Sequence, residues 1–413
     1  MIIKPAERTL SVQEYYFSRK NKEMAALNAA RAAKGLEPVV NLGVGAPDGR
    51  PPQAAIDALC NTAQQNGTHK YQPYVGTPEL RKAFAGWYKK WYHVELDPAT
   101  EIQPLFGSKE GILILSLAFL NKGDKVLVPD PGYPTYSAAT NLVEAEMVPY
   151  DLCDDRGWQP DFDALEKMDL SGVKMMWTNY PNMPTGAPAT RELYARIVDF
   201  ASRHGILVVN DNPYSFILTD EQLSILEVPG AKECCLELNS LSKAHNMSGW
   251  RIGMIAGDRE YIQEFLKVKS QMDSGMFRGI QDAAVAALQS DESWFRELND
   301  EYRRRRKYAA EIFSTVGAEF SEDSCGLFLF GKVKPGNAFA RVPEARKDDV
   351  EYVAGFSSRP LGEQVSEKIL YDAGVFITPG YIFGHNGEQY IRISLCADVP
   401  TFERSLEKIN SIR

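Results

Sequence analysis

The segment Ser240–Gly253 reads SLSKAHNMSGWRIG. Ser240, Ser242 and Lys243 stand close together, and Arg251 follows in a glycine-flanked turn. Serine hydroxyls and a guanidinium suit an anion, and a lysine amine can form a Schiff base with a carbonyl group. A second pair, Asp211 and Tyr214, forms a D-x-x-Y motif at the end of the apolar run ILVVND. A carboxylate at a buried strand end needs a cationic partner or several donors. A protonated pyridine nitrogen is a cation of that kind. The third stretch, FGSKEG at 106–111, reads as a tight turn opening the apolar helix ILILSLAFL. Backbone N–H groups at a helix start bind anions. Taken singly, each has a plain alternative: a solvated lysine, a turn aspartate, an ordinary helix start.

Elements must bring these groups together. Short apolar runs at 125–130, 173–180, 206–211, 234–240 and 253–258 alternate with helical patterns such as 190–204. Strands separated by amphipathic helices predict an α/β fold with a mostly parallel sheet, covered by helices on both faces. Ligands of such sheets bind beyond the carboxyl ends of the strands. Gly-, Pro- and Asn-rich stretches follow those ends: PDPGYP, NYPNMPTG, NDNPY and NSLSK. A helical pattern over about 283–316 then leads to GLFLFGKV (326–333), GVFITPG (374–380) and YIRISL (390–395). This predicts a smaller α+β domain, which the N-terminal segment, with a helix near 20–34, joins. The expected division is residues 1–45 with the small domain, 46–290 as the large domain and 291–413 as the small C-terminal domain.

Composition narrows the function. The 413 residues carry a formal net charge of −9, with 44% hydrophobic and 24% charged residues. No basic excess exists to neutralise a nucleic acid. The one basic run, RRRRK at 303–307, reads as a solvated helix face. Cysteines 60, 153, 234, 235, 325 and 396 form no CxxC pair, and the histidines are scattered, so no metal is expected. No apolar run reaches membrane-span length and no signal-peptide core is visible. The default expectation is a cytoplasmic protein.

Gly107–Lys109, Tyr133, Asn182, Asp211, Tyr214, Ser240, Lys243 and Arg251 occur in this order. Together they resemble the fold-type I, pyridoxal-phosphate-dependent aminotransferases of class I/II, over nearly the whole chain. The resemblance implies that Lys243 holds pyridoxal 5'-phosphate as a Schiff base and shuttles a proton. It implies that Asp211 pairs with the ring nitrogen, Tyr214 donates to the phenolic oxygen and Tyr133 stacks on the ring. Gly107, Ser108, Lys109, Ser240 and Arg251 would hold the phosphate. Tyr71, in KYQPYVGTPELRKA, would reach the phosphate of a neighbouring subunit, which implies a homodimer with shared active sites. Arg392 would grip the substrate carboxylate, with Gly45 close to it. The implied reaction moves an amino group from an L-amino acid to a 2-oxo acid by ping-pong kinetics.

Three other readings compete. A carbon–sulfur β-lyase would use the same fold, because fold does not fix reaction. A non-catalytic ligand-sensing module would also use it. A nicotinamide enzyme is suggested only by the G-x-G of GVGAPDG (43–49), whose later glycine is misplaced. The C-terminal TPGYIFGHNGEQYIRISL resembles members acting on diaminopimelate, aspartate or alanine, and Arg278 is a candidate second carboxylate binder. One departure stands out. The family residue before Pro-Thr-Gly is usually an asparagine that donates to the phenolic oxygen, but here it is Met183. Asn182 precedes it, and only an altered backbone path would let Asn182 take the role.

Overall fold

The computed structural model describes residues 2–10, 12 and 14–413. Its large sheet has seven strands. Their spatial order is Ile102–Leu105, Gly253–Gly257, Cys235–Ser240, Leu207–Asp211, Val173–Thr178, Lys125–Asp130 and Glu146–Asp151. Gly253–Gly257 runs antiparallel to both neighbours, and the other pairings are parallel. The predicted strands all form. The two that were not predicted are the margins of the sheet, and each contains a proline, Pro104 and Pro149. A proline has no N–H for the ladder and is tolerated on an edge strand; neither edge carries an apolar run like those of the inner strands, one being four residues long and the other mostly exposed.

Both faces of the inner strands are apolar. Met175, Trp177, Val209, Leu236 and Leu238 pack on one side with the helices Ser108–Phe119 and Arg259–Lys269. Met176, Val208 and Cys235 pack on the other with Arg191–His204 and Pro78–Tyr92. This is the pattern of a sheet with helices on both faces.

The smaller antiparallel sheet has the order Thr378–Pro379, Tyr390–Ser394, Phe328–Val333 and Ala318–Glu319. Val40–Asn41 pairs in parallel with Val375–Phe376. The helix Tyr16–Ala32 is tied to this region by Lys20, which donates to Glu367 at 2.9 Å. The helix expected over 283–316 is in fact two, Arg278–Ala287 and Glu292–Val316. Between them Asp291 accepts hydrogen bonds from the backbone N–H groups of Ser293 and Trp294, capping the second helix. The basic run lies on that helix but is not wholly a solvated face. Arg305 is buried and Arg306 donates to carbonyl groups of Glu322 and Ser324.

Candidate active site

The carboxyl ends of the parallel strands open onto a cavity of about 450 Å³. Asp211 ends one strand and Asn179 directly follows another. Ser240 ends a third strand, and Lys243 sits in the single helical turn Leu241–Ala244 after it. Tyr133 comes just after Lys125–Asp130, and Ser108 opens the helix after Ile102–Leu105. Arg251 lies two residues before the antiparallel strand, so it reaches the same rim. The small sheet supplies Arg392 from Tyr390–Ser394, and the loop Gly43–Ala46 closes the wall.

Asp211 is buried, and Tyr136 donates to its Oδ2 at 3.0 Å. Its Oδ1 is buried with no hydrogen-bond partner among the described residues. Burial pushes the carboxyl up to about 7, against the pull of the Tyr136 hydrogen bond and the Lys243 charge. Asn179 Nδ2 donates to the Asp211 carbonyl and so braces the strand end. Lys243 Nζ donates to the Gly45 carbonyl. Burial lowers its pKa, and the positive charges of Arg392 and Arg251 act in the same direction. That shift favours the neutral, nucleophilic amine. Tyr214 is buried beside Phe328, with its phenol held protonated by desolvation.

Arg392 is 4% exposed. Its Nη2 donates to the Gly43 carbonyl at 2.8 Å, and its Nη1 lies 3.3 Å from the Met183 sulfur. Nε has no partner. The guanidinium carbon sits 4.0 Å from the Phe328 ring centre and 4.6 Å from that of Phe383. Burial pushes its pKa down to about 10, because no carboxylate pairs with it among the described residues. A cation held this way is set up to take a carboxylate by a forked pair of hydrogen bonds.

Across the cavity, Ser108 begins the twelve-residue helix Ser108–Phe119. Its Oγ is buried without a partner among the described residues. Gly107 caps this helix with φ 84°, and a Cβ there would come 2.3 Å from Arg251 Nη2. A helix N-terminus, two serines and an arginine make an anion cradle. Lys109 Nζ lies 4.8 Å from the ring centre of Tyr15. Its pKa is lowered by burial and by Arg251.

Three expected residues lie off this cavity. Gly107 supports it from behind. Asn182 is turned into its own loop, donating to the Asn179 carbonyl and accepting from Thr185. Tyr71 is 90% exposed. Arg278 pairs with Asp282 at 2.7 Å, also outside the cavity. Met183 instead lines the wall, so the altered path that would bring Asn182 in is absent.

The profile of the family "Aminotransferase class I and II" matches residues 37–409. The chain is 40% identical over 377 residues to the LL-diaminopimelate aminotransferase of Aquifex aeolicus, covering 91% of each chain. It is 36% identical to that of Dehalococcoides mccartyi over 413 residues, covering 100% of this chain and 99% of that one. The substrate-bound structure of BacF from Bacillus subtilis superposes with a TM-score of 0.86 at 30% identity, covering 100% of this chain and 98% of that one. A probable N-succinyldiaminopimelate aminotransferase from Thermus thermophilus gives 0.82 at 28%, covering 95% and 99%. The chain is a class I and II aminotransferase.

The aminotransferase uses pyridoxal 5'-phosphate, and its residues fit that group. A protonated ring nitrogen matches the free Oδ1 of Asp211, and a phosphate matches the cradle of Ser108, Ser240 and Arg251. A lysine with a lowered pKa matches the aldehyde. Its reaction is transamination between amino and 2-oxo acids. Sequence reading missed three residues of the site. Tyr136 follows Tyr133 by one helical turn in DPGYPTY, and that spacing was its signal. Asn179 opens NYPNMPTG, where the eye goes to Asn182. Tyr15 lies far from every motif, and only the helix Tyr16–Ala32 brings it to the cavity.

Proposed function

We propose that the aminotransferase takes amino acids of the LL-diaminopimelate class as donor and a 2-oxo acid as acceptor. The observation that carries this is the full-length similarity to curated LL-diaminopimelate aminotransferases. Lys109, Tyr15 and Asn21 also line the cavity, adding polar groups to it that suit a substrate with a second polar end.

When bound, pyridoxal phosphate supplies an electron sink for charge developing at the substrate α-carbon. The chain does the rest. Lys243 Nζ holds the cofactor and, once released, takes the α-proton and returns it as an acid. Asp211 would keep the ring nitrogen protonated, Tyr214 would donate to the phenolic oxygen and Tyr133 would stack on the ring. Ser108, Ser240 and Arg251 bind the phosphate. Arg392 fixes the α-carboxylate, beside Gly45. Residues 46–290 form the large domain, flanked by a small domain built from both chain ends. No helix among the described residues is long and apolar enough to cross a membrane. A cytoplasmic homodimer suits this, and exposed Tyr71, Tyr74 and Met272 supply apolar surface for a second copy. Tyr71 would then serve the partner's phosphate site.

A donor panel with 2-oxoglutarate and pyruvate as acceptors tests the substrate. LL-diaminopimelate should give the highest kcat/KM, and Arg278→Ala should match wild type. Faster turnover of aspartate or alanine would sink the substrate reading. A monomer in sedimentation at micromolar concentration would sink the shared site.

A further inference from the structure

The basic run 303–307 has one buried member. Arg303 pairs with Asp300, and Arg304 with Glu301, on the solvent side. Arg305 is 6% exposed. Its Nη1 donates to Asp48 Oδ1 at 2.7 Å and its Nη2 to Asp48 Oδ2 at 3.2 Å. Nη1 also donates to the Leu395 carbonyl at 3.1 Å, and Nε to Glu301 at 2.9 Å. Arg305 thus holds two segments at once. One is the loop 43–50; the other is the end of the strand that carries Arg392.

That loop receives two of the site's cations. The Gly43 carbonyl accepts from Arg392 and the Gly45 carbonyl from Lys243. The loop reads GVGAPDGR, with glycines at 43, 45 and 49, and has no regular structure. Glycine backbone has the most freedom to lose on ordering. Asp48 is its only acidic residue. Its far end is held by Asn246, which donates to the Arg50 carbonyl at 3.1 Å and packs against Gly49.

We propose that Arg305 and Asp48 are a positioning pair that fixes the loop 43–50, and through the Gly43 carbonyl sets where Arg392 stands. The proposal rests on the reading that Arg392 binds the substrate carboxylate. Neither residue of the pair reaches the cavity. They act on the substrate only through the loop. A displaced loop weakens carboxylate binding in both half-reactions, because donor and acceptor share that group.

The test uses the holoenzyme and four variants: Asp48→Asn, Arg305→Lys, Arg303→Gln and Arg392→Gln. Asp48→Asn should raise KM for donor and acceptor alike by roughly 10-fold, since small misplacements of binding groups are costly. The affinity for propionate, an unreactive carboxylate, should fall in parallel, while kcat changes much less. Arg305→Lys keeps the charge but not the fork, and should fall between wild type and Asp48→Asn. Arg303→Gln should match wild type. If Asp48→Asn lowers only thermal stability and leaves KM and propionate affinity unchanged, the pair is a framework contact and the proposal is wrong. Should Asp48→Asn fail to fold, Arg305→Lys decides by the same two readouts. Arg392→Gln separates the underlying reading: if it leaves propionate affinity unchanged, Arg392 is not the carboxylate binder, whatever the pair does.

Discussion

Asp211 and Glu237 stand on neighbouring strands of one sheet, in adjacent registers, since Asn210 faces Glu237 and Asp211 faces Leu238. Both are buried, and burial raises the pKa of both. Their surroundings differ. Glu237 accepts from Tyr88, Ser224, Asn210 and the Ile225 backbone, at 2.8–3.2 Å. Among the described residues, the Asp211 carboxylate accepts from Tyr136 alone, and its Oδ1 has no partner. A buried carboxylate whose oxygens are both satisfied within the chain is framework. One with an oxygen left over, facing a cavity, is set up for something outside the chain.

Exchanging each acid for its amide should separate the two roles. Asp211→Asn removes the charge that keeps the cofactor ring protonated, and should cost roughly 10³-fold in kcat, the size of losing one preorganised electrostatic partner. Steady-state kinetics of the holoenzyme check it. A loss smaller than tenfold would place Asp211 with Glu237 as framework.

The same variant has a signature in the cofactor-free protein. The Asp211 carboxyl titrates near 7 when folded, against about 3.9 in an unfolded chain. Between those values the folded state holds a proton that the unfolded state has lost. Wild-type stability therefore falls as pH rises from about 4 to 7. Asparagine does not titrate. Asp211→Asn should match wild type near pH 4 and exceed it above pH 7, by up to about 4 kcal/mol at 1.36 kcal/mol per pKa unit. Denaturant unfolding at several pH values reads this difference. A gap independent of pH would mean that the carboxyl does not carry the titration.

Glu237→Gln should show the reverse profile. The amide keeps one acceptor but turns an NH2 group toward donors that need acceptance. The expected cost is about 2–4 kcal/mol in unfolding free energy, with kcat nearly unchanged. A large loss of kcat with little loss of stability would undo the contrast between the two acids.

The sequence carried this contrast unevenly. Asp211 was legible because a polar cluster follows an apolar run at a strand end. Glu237 was not, because its four donors come from segments as distant as Tyr88 and meet only in three dimensions. The inner strands were readable from their apolar runs, whereas the four-residue IQPL and the mostly exposed EMVPYD at the edges carry no such run. The split at Asp291 was hidden because Leu288–Asp291 contains no glycine or proline. Arg305 could not be told from its three neighbouring arginines, since its inward turn depends on Asp48, 257 residues away. Asn179 and Asn182 are chemically alike, and only the path of the loop decides which lines the cavity.

Met183 offers the finest test, because it lies where the cavity wall lacks a donor. Its backbone N–H is held by Asn179 at 2.8 Å, and its sulfur rests against Arg392. Asn179 donates one N–H of its amide to the Asp211 carbonyl and accepts from the Met183 backbone through its oxygen. By the family resemblance, Tyr214 is the side chain that donates to the phenolic oxygen of the cofactor. A hydrogen bond to a charged oxygen is worth about 1.5–3 kcal/mol, and one pKa unit is about 1.36 kcal/mol. Restoring an amide donor should make that oxygen a weaker partner for the proton on the Lys243-linked nitrogen. In Met183→Asn the visible-band titration of the holoenzyme should therefore shift to lower pH by roughly one unit. The shift is far smaller than the effects at Asp211 and Glu237, but its direction is decisive. An unchanged or higher midpoint would mean that the oxygen already has its full set of donors, and that the thioether's contact with Arg392 is what Met183 contributes.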